Sequence, residues 1–241
     1  MGRVEQRISD GRVLGLIRGW LDQDIVAGME RWTPTEGTPQ GAVISPLLAN
    51  IYLHPLDERL AAGGYRMVRY ADDFVVLCSS REEADAALAE IRRWVAENGL
   101  CLHPDKTHLG DCRQKGEGFD FLGYRFEAGH RFVRKKSLAR LKDGIRAKTR
   151  RTRGQSLTRI IADLNPMLRG WFGYFKHAHP NTFVRVDKFV RRRLRAVLRK
   201  QAKRPGFGNC RADHQRWPNA FFAQAGLVAL NSTWQHARHS R

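Results

Sequence analysis

The chain has 241 residues, enough to bury a sizeable core in one or two domains. Its 43 Lys and Arg against 24 Asp and Glu leave a net charge of +19, unusual for a metabolic enzyme and suited to a polyanionic partner. No stretch reaches the roughly 20 apolar residues of a membrane span, and no signal-peptide pattern opens the chain, so a cytoplasmic protein with no membrane role is expected.

In chain order, residues 9–31 begin with a helix, since Val13, Leu14, Leu16, Ile17, Trp20 and Leu21 fall on one stripe that should pack beneath a sheet. Asp10, Asp22 and Asp24 lie outside any strand pattern and read as surface or helix-end charges. Thr33 to Gln40 is a loop holding Pro34, Gly37 and Pro39. Ser45-Pro46 then marks a helix start with Ser as N-cap, and Pro55 should kink that helix or end it early. Two short strands flank Asp72-Asp73, and Ser80-Arg81-Glu82-Glu83 forms a capping box for a helix that Gly99 stops. Strand-like pieces at 100–103, 106–110, 119–126 and 130–133 complete a unit with helices on one face of an antiparallel sheet.

From Ser137 the character changes to four basic helices. Their apolar stripes are Leu138–Ile145, Leu157–Leu164, Leu168–Phe175 and Val186–Val197. In the fourth, Arg191, Arg195 and Arg199 make a second stripe, which predicts a bundle with a cationic face. The tail from Arg204 should dock through Phe221, Phe222, Leu227 and Leu230. Cys78, Cys101, Cys112 and Cys210 contain no C-x-x-C pair, which argues against a zinc framework or disulfide scaffold. Cys101, His103, His108 and Cys112 miss the usual ligand spacings, and His177 and His179 read as loop residues.

The chemistry concentrates in the apolar run Met67 to Cys78, interrupted by Asp72 and Asp73. Two buried carboxylates are costly unless cations neutralise them. Neighbours on a straight strand point to opposite faces, so both acids serve one site only at a bend, and a hairpin with the acids at its tip is expected. Such oxygen ligands suit Mg²⁺ or Mn²⁺ and two-metal phosphoryl transfer. The plain alternative is an exposed turn, which Asp favours. Upstream, the Gly37-to-Gly41 loop combines glycines that admit close backbone approach, a stiffening Pro39 and the two-way amide of Gln40.

In order and spacing, Gly37 to Leu53, Tyr70-Ala71-Asp72-Asp73, Asn98 to Thr107 and Phe119 to Phe126 resemble the later palm motifs of reverse transcriptases encoded by group II introns. The resemblance continues through a maturase-like region and covers nearly the whole chain. It implies an α+β fold: a partial palm, antiparallel sheet with helices, over 1–133; an α-helical thumb or maturase bundle over 134–203; and a docking tail over 204–241. It also implies RNA-directed DNA polymerase chemistry with two Mg²⁺ on Asp72 and Asp73. Lys106 would stand near the leaving pyrophosphate, with a solvated turn lysine as the alternative. Gly37, Pro39, Gln40, Gly41, Tyr70 and Ala71 would contact nucleotide and template, although Tyr70 and Ala71 read equally as sheet residues. Phe121, Leu122, Gly123 and Tyr124 would form the primer grip, and core packing explains them as well. The family's further aspartate and fingers precede the segment that Met1 to Asp10 resembles, so the metal site is incomplete in this chain.

Residues 131–241 hold 28 Lys and Arg against 4 Asp and Glu, a balance of +24, while residues 1–130 hold 15 against 20, a balance of −5. Arg134, Lys135, Lys136, Lys148, Arg150, Arg151, Arg153, Arg191, Arg192, Arg195 and Arg199 are therefore the expected RNA contacts. The expected partners are intron RNA and an RNA template with a DNA primer; the fingers and further aspartate would come either from a separate N-terminal reverse transcriptase fragment or from sequence upstream of Met1. The rival reading is a non-enzymatic RNA-binding splicing factor, or an inactive remnant, in which Asp72-Asp73 is unused.

Overall fold

The computed structural model describes residues 1–27, 29–32 and 42–239. The chain divides into two compact units, Met1–Leu109 and Gly110–Arg241.

The first unit opens with α1 (Gly2–Glu5) and α2 (Gly11–Leu21). The Asp10 carboxylate caps α2 by accepting from the amides of Arg12 and Val13, at 2.8 and 3.1 Å, so this acid is a helix-end charge. Against expectation, the α2 stripe is not packed: Ile17 is buried, while Val13, Leu16 and Trp20 stay exposed. Strands β1 (Ile25–Ala27) and β2 (Glu30–Trp32) pair antiparallel by themselves. Helix α3 (Ser45–Ala62) starts one residue earlier than expected, with Ile44 rather than Ser45 at the cap position. It runs through Pro55 to Ala62, because Leu56 and Leu60, both fully buried, lie beyond the proline and hold the last turns in the core. Burial of two leucines, about 1.5–3 kcal/mol each, offsets the roughly 3 kcal/mol cost of an internal proline.

Strands β3 (Arg66–Tyr70) and β4 (Asp73–Leu77) form an antiparallel hairpin with Tyr70 opposite Asp73. Helix α4 (Arg81–Glu97) is capped by Ser80, whose hydroxyl accepts from the Glu83 amide at 3.1 Å; the Glu83 carboxylate reaches back to the Ser79 amide at 2.6 Å. Met67, Phe74 and Val76 line one face of the hairpin and pack with Leu56, Leu60, Ile91, Trp94 and Val95 from α3 and α4. Helices on one face of an antiparallel sheet follow from the period-2 pattern of β3, whose odd member Met67 faces the core while Val68 and Tyr70 stay exposed. Residues 100–110 form no strand, contrary to expectation; Pro104 begins a turn closed by the Lys106 and Thr107 amides on the His103 carbonyl.

The second unit carries a three-stranded antiparallel sheet, β5 (Phe119–Phe121), β6 (Tyr124–Glu127) and β7 (His130–Val133), followed by α5 (Lys135–Lys148), α6 (Leu157–Phe175) and α7 (Asn181–Gln201). The two helices expected at 157–164 and 168–175 are one, passing through Pro166, because their stripes stay in phase: Ile161, Leu164, Leu168, Phe172 and Phe175 are all buried on one side. Short helices α8 (Arg211–Arg216), α9 (Asn219–Gln224) and α10 (Leu230–His239) make up the tail. Phe222 and Leu230 are fully buried in the bundle core, with Phe221 and Leu227 packed at its edge. By its contacts the β5–β7 sheet belongs with the helices: Val133 is a core member, and the Tyr124 ring lies 5.1 Å from that of Phe175.

Candidate functional site

Asp72 sits in the two-residue turn of the β3–β4 hairpin, and Asp73 opens β4. The bend brings both acids to one end of the hairpin. They are nevertheless exposed, not buried, which corrects the reading of this run as a desolvated acid pair. Exposure lets water offset the charge that the interior would not. Neither carboxylate has a hydrogen-bond or ion-pair partner among the described residues, leaving both free to coordinate a cation. Tyr70, paired with Asp73, is two-thirds exposed on the same face as Val68 and Leu77.

The turn is held from beneath. Ala71 has φ +55, the left-handed region that tight hairpin turns demand and glycine usually fills. Arg69, one residue pair back and on the inward face, donates to the Ala71 carbonyl at 2.9 Å. The same guanidinium grips the Asp57 carboxylate on α3 through two bonds, 2.8 and 2.5 Å, and the Asn50 side chain at 2.8 Å. The hydrogen bond to Asp57 pushes Arg69 above its ordinary value despite burial. The sequence reading passed over Arg69, Asp57 and Asn50; a cation at an inward strand position beside two acids was the available signal.

Asp72 and Phe74 also line an open cleft of about 830 Å³ within this unit, walled by apolar residues such as Leu48, Ile51, Leu56 and Val95. Asp22 and Arg3 are its other charged lining residues. Two exposed carboxylates fit Mg²⁺ in part, since that ion takes one or two carboxylates and completes its shell with water and phosphate. No group of three or more His, Cys, Asp or Glu converges among the described residues. Lys106 lies on the exposed turn after Pro104. Gly37, Pro39, Gln40 and Gly41 lie outside the described residues.

In the second unit, Phe121 and Tyr124 pair across a turn formed by Leu122 and Gly123, both left-handed at φ +47 and +79. This turn is locked to α6: the Tyr174 hydroxyl donates to the Leu122 carbonyl at 2.9 Å, and the Tyr124 hydroxyl to the Tyr174 carbonyl at 2.6 Å. A side chain at 123 would press on Phe175 at 3.3 Å, which selects glycine there.

The cationic residues divide into two sets. Lys135, Lys136, Arg150, Arg153 and Arg192 are exposed, and Lys148, Arg151 and Arg191 half-buried. Arg134 is exposed but bound to Asp120 at 2.9 Å. Arg195 is buried, with its donors on the Trp217 carbonyl and the Asn219 side chain at 2.9 and 3.0 Å, and Arg199 grips both oxygens of buried Asp213 at 2.7 Å. The expectation that the 191–195–199 stripe faces RNA is therefore corrected for Arg195 and Arg199. The tail covers that face, and helical periodicity cannot tell a solvent stripe from a tail-covered one.

A family model described as reverse transcriptase (RNA-dependent DNA polymerase) matches residues 6–126, and one for the group II intron maturase-specific domain matches residues 138–217. The reverse transcriptase match reaches past the boundary between the two units, into β6. The chain belongs to the reverse transcriptase family and carries the maturase-specific domain of group II introns. Among its relatives, Protein YkfC of Escherichia coli is 33% identical over 173 residues, covering 57% of this chain and 43% of that protein. The group II intron-encoded protein LtrA of Lactococcus lactis is 40% identical over 58 residues, 24% of this chain and 10% of LtrA. An uncharacterized 91 kDa protein in the cob intron of Schizosaccharomyces pombe is 44% identical over 55 residues, 23% of this chain and 7% of that protein. The chain thus spans less than half the length of these relatives.

Proposed function

We propose that this chain is the palm remainder and maturase part of a group II intron reverse transcriptase, which binds intron RNA in the cytoplasm to assist splicing. DNA synthesis on an RNA template would need a further carboxylate and the fingers beside these residues, which an N-terminal reverse transcriptase fragment can supply. The observation that carries this reading is the pair Asp72-Asp73, unpartnered at a braced hairpin tip, in a chain whose other half is strongly basic. Asp72 and Asp73 would hold Mg²⁺, which supplies Lewis-acid activation and charge neutralisation for phosphoryl transfer when bound. The protein's own contribution is to hold Asp72 in place through the Arg69 brace and to leave Asp73 beside the exposed Tyr70 face, where a primer end would lie. Lys106 would steady charge on the leaving pyrophosphate. The Phe121–Tyr124 turn, fixed to α6 by Tyr174, is the rigid element suited to grip a primer.

Primer extension on an RNA template tests the enzymatic part. The purified chain alone should extend poorly or not at all, and addition of an N-terminal reverse transcriptase fragment should restore synthesis that Asp72→Ala abolishes. Robust Asp72-dependent synthesis by the chain alone would refute the complementation. The concentration of 28 Lys and Arg against 4 Asp and Glu in residues 131–241 supports a second reading, a non-enzymatic RNA-binding splicing factor. In that case Asp72→Ala leaves RNA binding and splicing unchanged, and no added fragment restores synthesis.

A further inference from the structure

Cations gather where α5, the loop after it and the middle of α7 meet. The Lys142 Nζ, Arg146 Cζ and Arg192 Cζ lie 5.8, 5.4 and 5.6 Å from the centroid of a single ring, that of Phe189. Beside them Arg193 is immobilised on Thr149, with Nε 3.0 Å from its Oγ1 and a terminal nitrogen 2.8 Å from its carbonyl oxygen. Arg151 lies over Phe207 at 4.8 Å, and that ring is 73% exposed. One acid, Asp143, stands nearby and bonds Arg146 at 2.5 Å. Burial first, and then Arg192, Arg146 and Arg151, push Arg193 below its ordinary value, which places all four arginines in one field.

Two ordinary explanations fall short. A helix C-terminus attracts cations, which accounts for Arg146 at the end of α5 but not for Arg192 in the interior of α7. A solvated basic face spreads its charges apart, whereas here three converge on one aromatic ring. Asp143 offsets only one of these charges, and a surface left with one sign of charge concentrates counterions.

We propose that this knot of Lys142, Arg146 and Arg192 around Phe189, with Arg193 beside it on Thr149, is a site for crowded backbone phosphates of a folded RNA. The inference rests on the RNA-binding reading above and deepens it. Arginine forks match phosphate oxygens, and stacking on Phe189 restricts their rotamers before the ligand arrives. A track of cations follows an extended strand; a compact knot meets a bend or junction where phosphates from separate segments approach one another. The exposed Phe207 ring beside Arg151 selects nucleic acid over an acidic protein surface, because it offers a face on which a base can stack.

The test uses the full chain and two RNAs of equal length, a transcribed three-helix junction and an unstructured single strand, with affinity measured across a salt series. The wild type should prefer the junction. The variant Lys142→Gln/Arg146→Gln/Arg192→Gln should lower the slope of log affinity against log salt by about 2–3 and weaken junction binding by about 10-fold or more, while the single strand changes less. Arg146→Lys/Arg192→Lys should keep the slope, which separates loss of charge from loss of fold. Lys135→Gln/Lys136→Gln should weaken both RNAs alike. A triple variant with the wild-type slope, beside a wild type that binds, overturns the site and leaves the RNA-binding reading intact. A wild type without salt-dependent RNA binding overturns that reading itself. Displacement of the junction by polyglutamate of equal charge overturns the nucleic-acid assignment.

Discussion

Replacing Arg69 with Met should loosen the hairpin tip that carries Asp72 while leaving the second unit untouched. Methionine keeps much of the stem's apolar volume, so what is lost is chiefly the guanidinium and its four bonds, two to Asp57 and one each to Asn50 and Ala71. Exposed ion pairs contribute about 0–1 kcal/mol, whereas breaking a buried one costs about 3–5 kcal/mol. The Arg69 side chain is 11% exposed and that of Asp57 32%, so the pair lies between these limits, at about 2 kcal/mol. The lost bond to the Ala71 carbonyl adds about 1 kcal/mol at a turn already held at positive φ. A total near 3 kcal/mol corresponds to roughly a 100-fold larger population of open hairpin. Hydrogen exchange should therefore show protection of the 66–77 amides falling by about two orders of magnitude, with α6 and α7 unchanged. A double-mutant cycle with Asp57→Leu, read by urea unfolding, should give a coupling near 2 kcal/mol. Coupling below about 0.5 kcal/mol, or unaltered exchange at the hairpin, would show that the turn is held without this brace.

Arg195→Met should lower stability by about 2–3 kcal/mol, since it strips two charged hydrogen bonds from the Trp217 carbonyl and Asn219, and should reduce the melting temperature by several degrees. Its salt slope for RNA binding should match the wild type; a reduced slope would return Arg195 to the interface. Asp187, buried on α7, accepts the Leu230 and Asn231 amides at 3.0 and 3.1 Å and so caps α10 from another helix. Burial pushes this carboxyl above its ordinary range, so the unfolded chain ionises first and ionisation subtracts stability as pH rises through the interval between the unfolded and folded values. Asp187→Asn should flatten the fall of melting temperature with pH in that interval; equal slopes for wild type and variant would remove this group from the pH dependence.

The hairpin turn that carries Asp72 and Asp73 was legible in the sequence. Asp72 and Asp73 interrupt an apolar run, and the period-2 logic of a strand requires a bend to bring adjacent acids together, which is where the β3–β4 turn falls. The Ser80 cap and the apolar stripes of α5, α6 and α7 were equally readable, because capping and helical periodicity depend on residues only a few positions apart. Burial of the acids was misjudged for the same reason: an apolar neighbourhood in sequence says nothing of whether a hairpin tip is covered.

The remaining features join residues distant along the chain. The Arg69 clamp links β3 to Asp57 on α3, Arg195 spends its charge on a tail some twenty positions onward, and Phe189 collects cations from two helices more than forty residues apart. Pro55 and Pro166 fail to break their helices because core partners beyond them hold the next turns in place. Local propensity and spacing write the elements and mark the acids, since these are short-range properties of the chain. Which arginines stay free for an anion is set by packing between elements, because the partners that occupy or expose a guanidinium are brought to it only by the fold.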